Sequence, residues 1–189
     1  MIVRRPRLTI TDPVIPPALP DVKRVFELNI LGVRMSDRLE FTPHVNHITT
    51  AAVQSTYALR VLRAHGLNGP DLWGVTRATA VAKITYACSA WWGYLDSSGK
   101  ARIQSVLDKF RRLGFLADNI SFVQICEEQD SNLFTQIMHN ENHVLHQLLP
   151  PVRNVPYSLR PRAHNREVPV ANATMRKNFI YRMLYLDLY

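Results

Sequence analysis

The chain has 189 residues and a mass of 21.7 kDa, with 47% apolar and 20% charged residues, enough for one substantial core and a small satellite and too little for a multidomain enzyme. Its 23 Lys and Arg against 15 Asp and Glu leave a formal charge of +8 and a pI near 9.9, so an acidic partner such as nucleic acid is the first expectation. Two cysteines, Cys88 and Cys126, exclude a disulfide-stapled secreted scaffold and a Cys-rich zinc module and point to a reducing compartment.

The opening MIVRRPR runs into Pro-rich polar sequence instead of an apolar signal region, so an intracellular address, cytoplasmic or nuclear, is expected. Pro13 to Pro20 (PVIPPALP) lacks the backbone donors of a strand or helix interior and reads as an extended loop. On either side Met1 to Arg4 and Val22 to Met35 read as β segments of a short sheet, with Gly32 marking a bend or bulge. From Thr42 the apolar period changes. Thr42-Pro43 is a helix start, and Val45, Ile48, Ala52, Ser55, Leu59 and Leu62 trace one long amphipathic helix that Gly66 stops. After the turn Leu67 to Asp71 a second helix is predicted to about Cys88, with Leu72, Val75, Thr79, Ala82 and Tyr86 on one face and Val81 and Ile84 on another, as befits a central helix.

Ser97-Ser98-Gly99 breaks the pattern, and Ile103, Val106, Leu107, Phe110 and Leu113 mark a third amphipathic helix ending near Gly114. The spacing then predicts two or three shorter helices over 117–149, stopped by Pro150-Pro151. A Pro-, Arg- and Asn-rich linker follows to about Thr174, and a terminal helix lies within Asn178 to Tyr189. No apolar run reaches the roughly 18–20 residues that span a bilayer, since even Ala78 to Leu95 contains Lys83, so a membrane is not an expected partner. Charge is unevenly laid out: +2 over 1–40, +6 over 41–116, −5 over 117–149 and +5 over 150–189. Either the acidic block docks on a basic neighbour within the fold, or a basic face stays free for an external polyanion.

Metal-dependent phosphoryl transfer needs clustered carboxylates to hold its divalent ions. None is visible here: the aspartates, from Asp12 to Asp187, are scattered, and Glu127-Glu128 read as a solvated helix face. No P-loop, GxGxxG, GxSxG or HExxH occurs, and no catalytic residue, metal site or cofactor is expected. His139, His143 and His146 fall at i, i+4 and i+7 beside Glu141, a spacing able to ligate zinc, but with no fourth ligand in view they read as polar helix positions; His44-x-x-His47 is a weaker candidate still. The best binding candidates are Lys100, Arg102, Lys109, Arg111 and Arg112, which lie within thirteen residues of the third helix and are suited to phosphates, or simply form its solvated face. Trp91 and Trp92 offer base-stacking surface, yet beside Tyr86 and Tyr94 they read better as the anchor between the second and third helices.

Several phrases in register also resemble a known family. LNILGV (Leu28 to Val33), RLEFTPHV (Arg38 to Val45), YALRVLRAHGL (Tyr57 to Leu67), YACSAWWGYL (Tyr86 to Leu95), NENHVLHQLLP (Asn140 to Pro150), YSLRPRAHN (Tyr157 to Asn165) and NFIYRMLYLDLY (Asn178 to Tyr189) are similar to the region after the catalytic core of non-LTR (LINE-type, jockey/CR1-like) retrotransposon reverse transcriptases. The resemblance implies a mainly α fold: a β remnant of a palm subdomain at 1–40, a thumb-like three-helix bundle at 41–116, then a C-terminal extension of an acidic helical segment (117–150), a linker (151–175) and a terminal helix (176–189). It also implies that the metal-binding Asp-Asp motif of the RNA-directed DNA polymerase precedes residue 1, leaving a catalytically inactive C-terminal fragment.

A thumb grips primer–template by its backbone, so the implied partner is RNA, DNA or an RNA–DNA hybrid, held through the basic third helix. Two other functions compete with that expectation. The chain could complete an active polymerase by joining a separate palm, or it could be a small helical module whose acidic and basic blocks meet a protein partner.

Overall fold

The computed structural model describes residues 20–21, 23–153 and 164–186. The strand expected at Met1 to Arg4, the loop from Pro13 to Leu19, and Arg160 and Arg162 of the expected linker lie outside them. The fold is mainly α with a short antiparallel strand pair near the N-terminus. It divides into two compact units, one from Met1–Ile84 and Leu95–Ala117, the other from Thr85–Tyr94 and Asp118–Tyr189.

In the first unit, β1 (Glu27–Ile30) and β2 (Val33–Ser36) form a two-residue hairpin in the register Leu28↔Met35 and Ile30↔Val33. The bend expected at Gly32 is a full reversal, because Leu31 (φ 48°) and Gly32 (φ 88°) both take the left-handed conformation that matches the twist of a tight hairpin. Leu28, Val33 and Met35 are half-buried, while Ile30, on the same face as Leu28 and next to the turn, is exposed. The hairpin rests on α1 (Thr42–Ala64), where the Arg34 backbone N–H reaches Nδ1 of buried His44 at 3.5 Å.

Helix α1 starts with Thr42 inside it and Phe41 at the cap position, where no side chain caps it. It buries Val45, Ile48, Ala52 and Leu59 as the apolar period predicts. At its end Leu67 N–H bonds Leu62 O across left-handed Gly66, and the same closure ends α5 (Ser97–Arg112), where Phe115 N–H bonds Phe110 O across Gly114. The start of α5 is held by Asp96, whose side chain accepts from Gly99 N–H at 2.7 Å.

Between them the second helix is re-phased. It runs as α2 (Gly69–Thr76), a π-helical turn (Arg77–Val81) and α3 (Ala82–Thr85). The wider turn adds a residue to one cycle, so the buried face reads Leu72, Thr76, Ala80, Ile84, and Thr79, Ala82 and Tyr86 of the expected face are exposed instead. The helix is buried on one side rather than all round.

The second unit gathers three distant stretches. After left-handed Ala87 come α4 (Cys88–Trp91) and a 3-10 turn (Trp92–Tyr94), which pack on α6 (Phe122–His139). Trp91 stacks on Phe122 with ring centroids 6.0 Å apart. Helix α6 is one 18-residue element where shorter helices were expected, since nothing between Ser121, which caps Gln124 N–H, and Asn140 interrupts the backbone ladder. Beyond it Val144 and Leu148 are exposed, and His146–Leu148 form only a 3-10 turn.

The described part of the expected linker is packed: Val152 bridges Arg166, His164 Nε2 lies 3.0 Å from Leu184 O, and Tyr185 donates to Pro169 O at 2.7 Å. Helix α7 (Phe179–Leu184), capped by Asn178, docks Phe179, Ile180, Met183 and Leu184 against Phe134 and Ile137.

A buried ion pair ties these stretches together. Asp130 Oδ2 accepts from Trp92 Nε1 at 2.8 Å and from Arg182 Nε and Nη2 at 2.9 and 2.7 Å, while Arg182 also donates to Ser89 O and Lys177 O and lies over the Trp92 ring. One acidic residue of 117–149 therefore does dock on a basic residue of 150–189. Gly93 is required beside it, because a Cβ there would collide with the Arg182 guanidinium and the Lys177 carbonyl.

Arg182→Ala strands a carboxylate that is 2% exposed, and an unfolding titration should show a loss of about 3–5 kcal/mol; a loss within 0.5 kcal/mol, the range of about that size typical of surface sites, would deny the pair its structural role. For His44, burial foremost, with the charges of His47 and Arg34, lowers the pKa from 6.5 to about 4. The imidazole is then neutral in the fold but protonates near 6.5 once unfolded, so its contribution is complete above pH 6.5 and is lost as pH falls toward 4. Thermal melts across that window should show Tm dropping, with a shallower drop in His44→Gln; equal slopes would count against it.

Candidate nucleic-acid interface

Helices α1 and α5 pack side by side in parallel. Thr49 to Gln54 face Arg102 to Val106 near one end, and near the other Arg63 Nη1 donates to Leu113 O at 2.8 Å with its guanidinium 5.0 Å from the Phe115 ring centroid. Between the helices runs an open groove of about 420 Å³ lined by Thr49, Thr50, Val53, Gln54, Arg102, Ser105 and Val106.

The five basic residues predicted on α5 do not share one face. At about 100° per residue, the buried Ile103, Val106, Leu107 and Phe110 form a stripe that separates them. Arg102 lines the groove, and Lys109 follows about 20° round the helix and about 10 Å further along it. Arg112 lies about 80° from Arg102, toward solvent, whereas Lys100 and Arg111 share the opposite flank, about 160–180° away. Asp108, which accepts from Gln104 Nε2 at 3.0 Å, sits between Arg111 and Arg112. Part of this basic character has a local cause, since Lys109, Arg111 and Arg112 occupy the last turn, where cations complement the helix dipole.

Two residues on the groove-side flank of α1, Tyr57 and Arg60, are not singled out by the sequence. Helix α1 carries no carboxylate at all, and its groove-side flank continues from Val53 through Tyr57, 77% exposed, to exposed Arg60. The signal was available: an aromatic residue off the apolar stripe, three residues from an arginine on a helix without Asp or Glu. Arg63, by contrast, is absorbed in capping α5. Trp91 and Trp92 are 0% and 6% exposed and pack in the second unit, so the stacking surface beside the groove belongs to Tyr57.

The histidine triplet is not a helical face. Helix α6 ends at His139, whose Nδ1 lies 2.8 Å from Thr135 O; His143 Nδ1 accepts from Leu145 N–H, and His146 Nδ1 lies 2.7 Å from Ile137 O. Among the described residues no group of three or more His, Cys, Asp or Glu is placed to hold a metal ion, and no helix is long and apolar enough to cross a membrane. Glu127 and Glu128 are exposed on α6.

No protein-family model matches the chain, and neither a curated protein nor a solved structure matches it. The functional reading therefore rests on this groove and on the sequence phrases.

Proposed function

We propose that the chain is a non-catalytic nucleic-acid-binding module that grips the sugar–phosphate backbone of RNA, DNA or their hybrid along the α1–α5 groove, in the manner of the thumb region of the non-LTR reverse transcriptases its phrases resemble. One observation carries the reading: no carboxylate is among the residues that line the groove, Arg102 is one of them, and at about 100° per residue Arg60 and Lys109 continue the groove-side flanks of α1 and α5. Cations spaced along one flank of a helix suit a line of phosphates and read no base edge. Tyr57 adds a sequence-tolerant stacking surface. The scattered carboxylates support a binding role without catalysis.

The competing reading, a protein-interaction module, draws on the hairpin, where Phe26 and Leu31 are 63% and 86% exposed. Nucleic-acid titrations separate the two. In fluorescence anisotropy on labelled duplex, three phosphates neutralised at the groove correspond to a log–log salt slope of about −2 to −3. Arg102→Ala with Lys109→Ala should flatten that slope by about two units, while Lys100→Ala with Arg111→Ala on the other flank should change it little. Equal losses from the two pairs would replace the groove with a diffuse basic surface, and no binding at low salt would favour the protein partner. Purified chain supplied with primer–template, deoxynucleotides and Mg²⁺ or Mn²⁺ is expected to incorporate nothing above a no-protein control; sustained incorporation would make it an enzyme.

A further inference from the structure

The two cysteines, 38 positions apart in sequence, meet in the second unit. Cys88 is the first residue of α4 and Cys126 lies one turn into α6, and both are 0% exposed. Their approach follows from the contacts on either side. Trp91 stacks on Phe122, Cys88 Sγ donates to Gln129 Oε1 at 3.0 Å, and Trp92 donates to Asp130. Phe122, Cys126, Gln129 and Asp130 fall on one face of α6, the face that α4 packs against, so Cys126 sits between the partners of Trp91 and Cys88. Both cysteines are free thiols in the structure.

We propose that Cys88 and Cys126 form an oxidisable dithiol site, in which a low-molecular-weight disulfide of the glutathione type converts the pair to an internal disulfide that fastens α4 to α6. Cys88 is the attacking residue. It lines an open pocket of about 410 Å³ with Ser89, Gln129, Asn132, Leu133 and Gln136, whereas Cys126 lies behind it and lines no part of that pocket. The hydrogen bond from Cys126 lowers the Cys88 pKa against the opposing effects of burial and of Asp130, and the same bond raises that of Cys126. As a neutral thiol Cys88 donates to Gln129.

The chemistry balances in two exchanges. The Cys88 thiolate attacks one sulfur of the oxidant, forming a mixed disulfide and expelling one thiolate. Cys126 then gives up its proton and attacks Cys88 Sγ, forming the internal S–S bond and releasing the second thiolate. The protein loses two electrons and two protons, and the oxidant becomes two thiols. Such a bond fits a reducing compartment as a reversible state rather than a permanent staple.

The proposal is tested on the whole chain equilibrated in reduced and oxidised glutathione, quenched by alkylation and analysed by intact mass and by mapping of linked peptides. The expected result is a monomer that has lost two hydrogens, with the Cys88 and Cys126 peptides joined, and that regains both thiols with dithiothreitol. Half-oxidation should need a glutathione mixture at least about tenfold less oxidising than for the same chain in urea, because a fold that places the thiols together favours their bond. Cys126→Ser should stop at a glutathione adduct on Cys88. An equal or more oxidising requirement in the native chain, adducts on both cysteines without the internal link, or disulfides between chains would each overturn the proposal, and since the decisive comparison uses the unaltered chain it stands even if the serine variant does not fold.

Discussion

One buried carboxylate oxygen organises the second unit. Asp130 Oδ2 receives the indole of Trp92 and two nitrogens of Arg182, and Arg182 reaches on to the carbonyls of Ser89 and Lys177. Three segments that share no local sequence, 85–94, α6 and the last described stretch, are therefore held at one point. The desolvation of such a pair is costly, and its hydrogen bonds offset that cost only while the geometry is kept. Among the described residues Oδ1 of the same carboxylate has no hydrogen-bond partner, which makes the arrangement depend all the more on the donors at Oδ2. Gly93 is part of the same constraint, since only a residue without a Cβ lets the guanidinium pass. Around this point the apolar contacts close in order: Trp91 on Phe122, the two thiols beside Gln129, then Phe134 and Ile137 under α7.

In the first unit the governing contact is apolar. Burial of Val45, Ile48, Ala52 and Leu59 on α1 and of Ile103, Val106, Leu107 and Phe110 on α5 brings together two helices separated by the whole α2–α3 connection. That packing turns two ordinary solvated flanks into the walls of a groove. Neither helix makes the proposed interface alone: α5 supplies Arg102 and Lys109, while α1 supplies Tyr57, Arg60 and an absence of negative charge. Basic residues at the end of α5 also stabilise their own helix through its dipole, so their presence has a structural cause whether or not a polyanion is bound.

The helix-period reading was reliable wherever one element owned its stripe. The span of α1, the end of α5 at Gly114 and the docking of the terminal helix were all legible, because each is set by local periodicity and a left-handed glycine or a capping side chain. It failed where backbone geometry departed from the standard period or from extension. The π turn at Arg77–Val81 shifted the buried face of the second helix, and at Leu31-Gly32 the expected bend is a full reversal that makes a hairpin. The site was legible in part. Arg102 and Lys109 were visible as charges on a helix, but a linear count of basic residues could not separate them from Lys100 and Arg111 across the apolar stripe.

The sequence by itself determined that the chain is mainly helical, where its long helices lie, that its charge is basic in two blocks and acidic in one, and that only two thiols are present. These follow from composition and from spacings within single elements. Tertiary structure alone decided which charges share a groove, that Asp130 finds Arg182, and that Cys88 meets Cys126. Each of those depends on contacts between residues far apart in the chain, whose geometry is set by how whole helices pack and leaves no periodic trace in the local sequence.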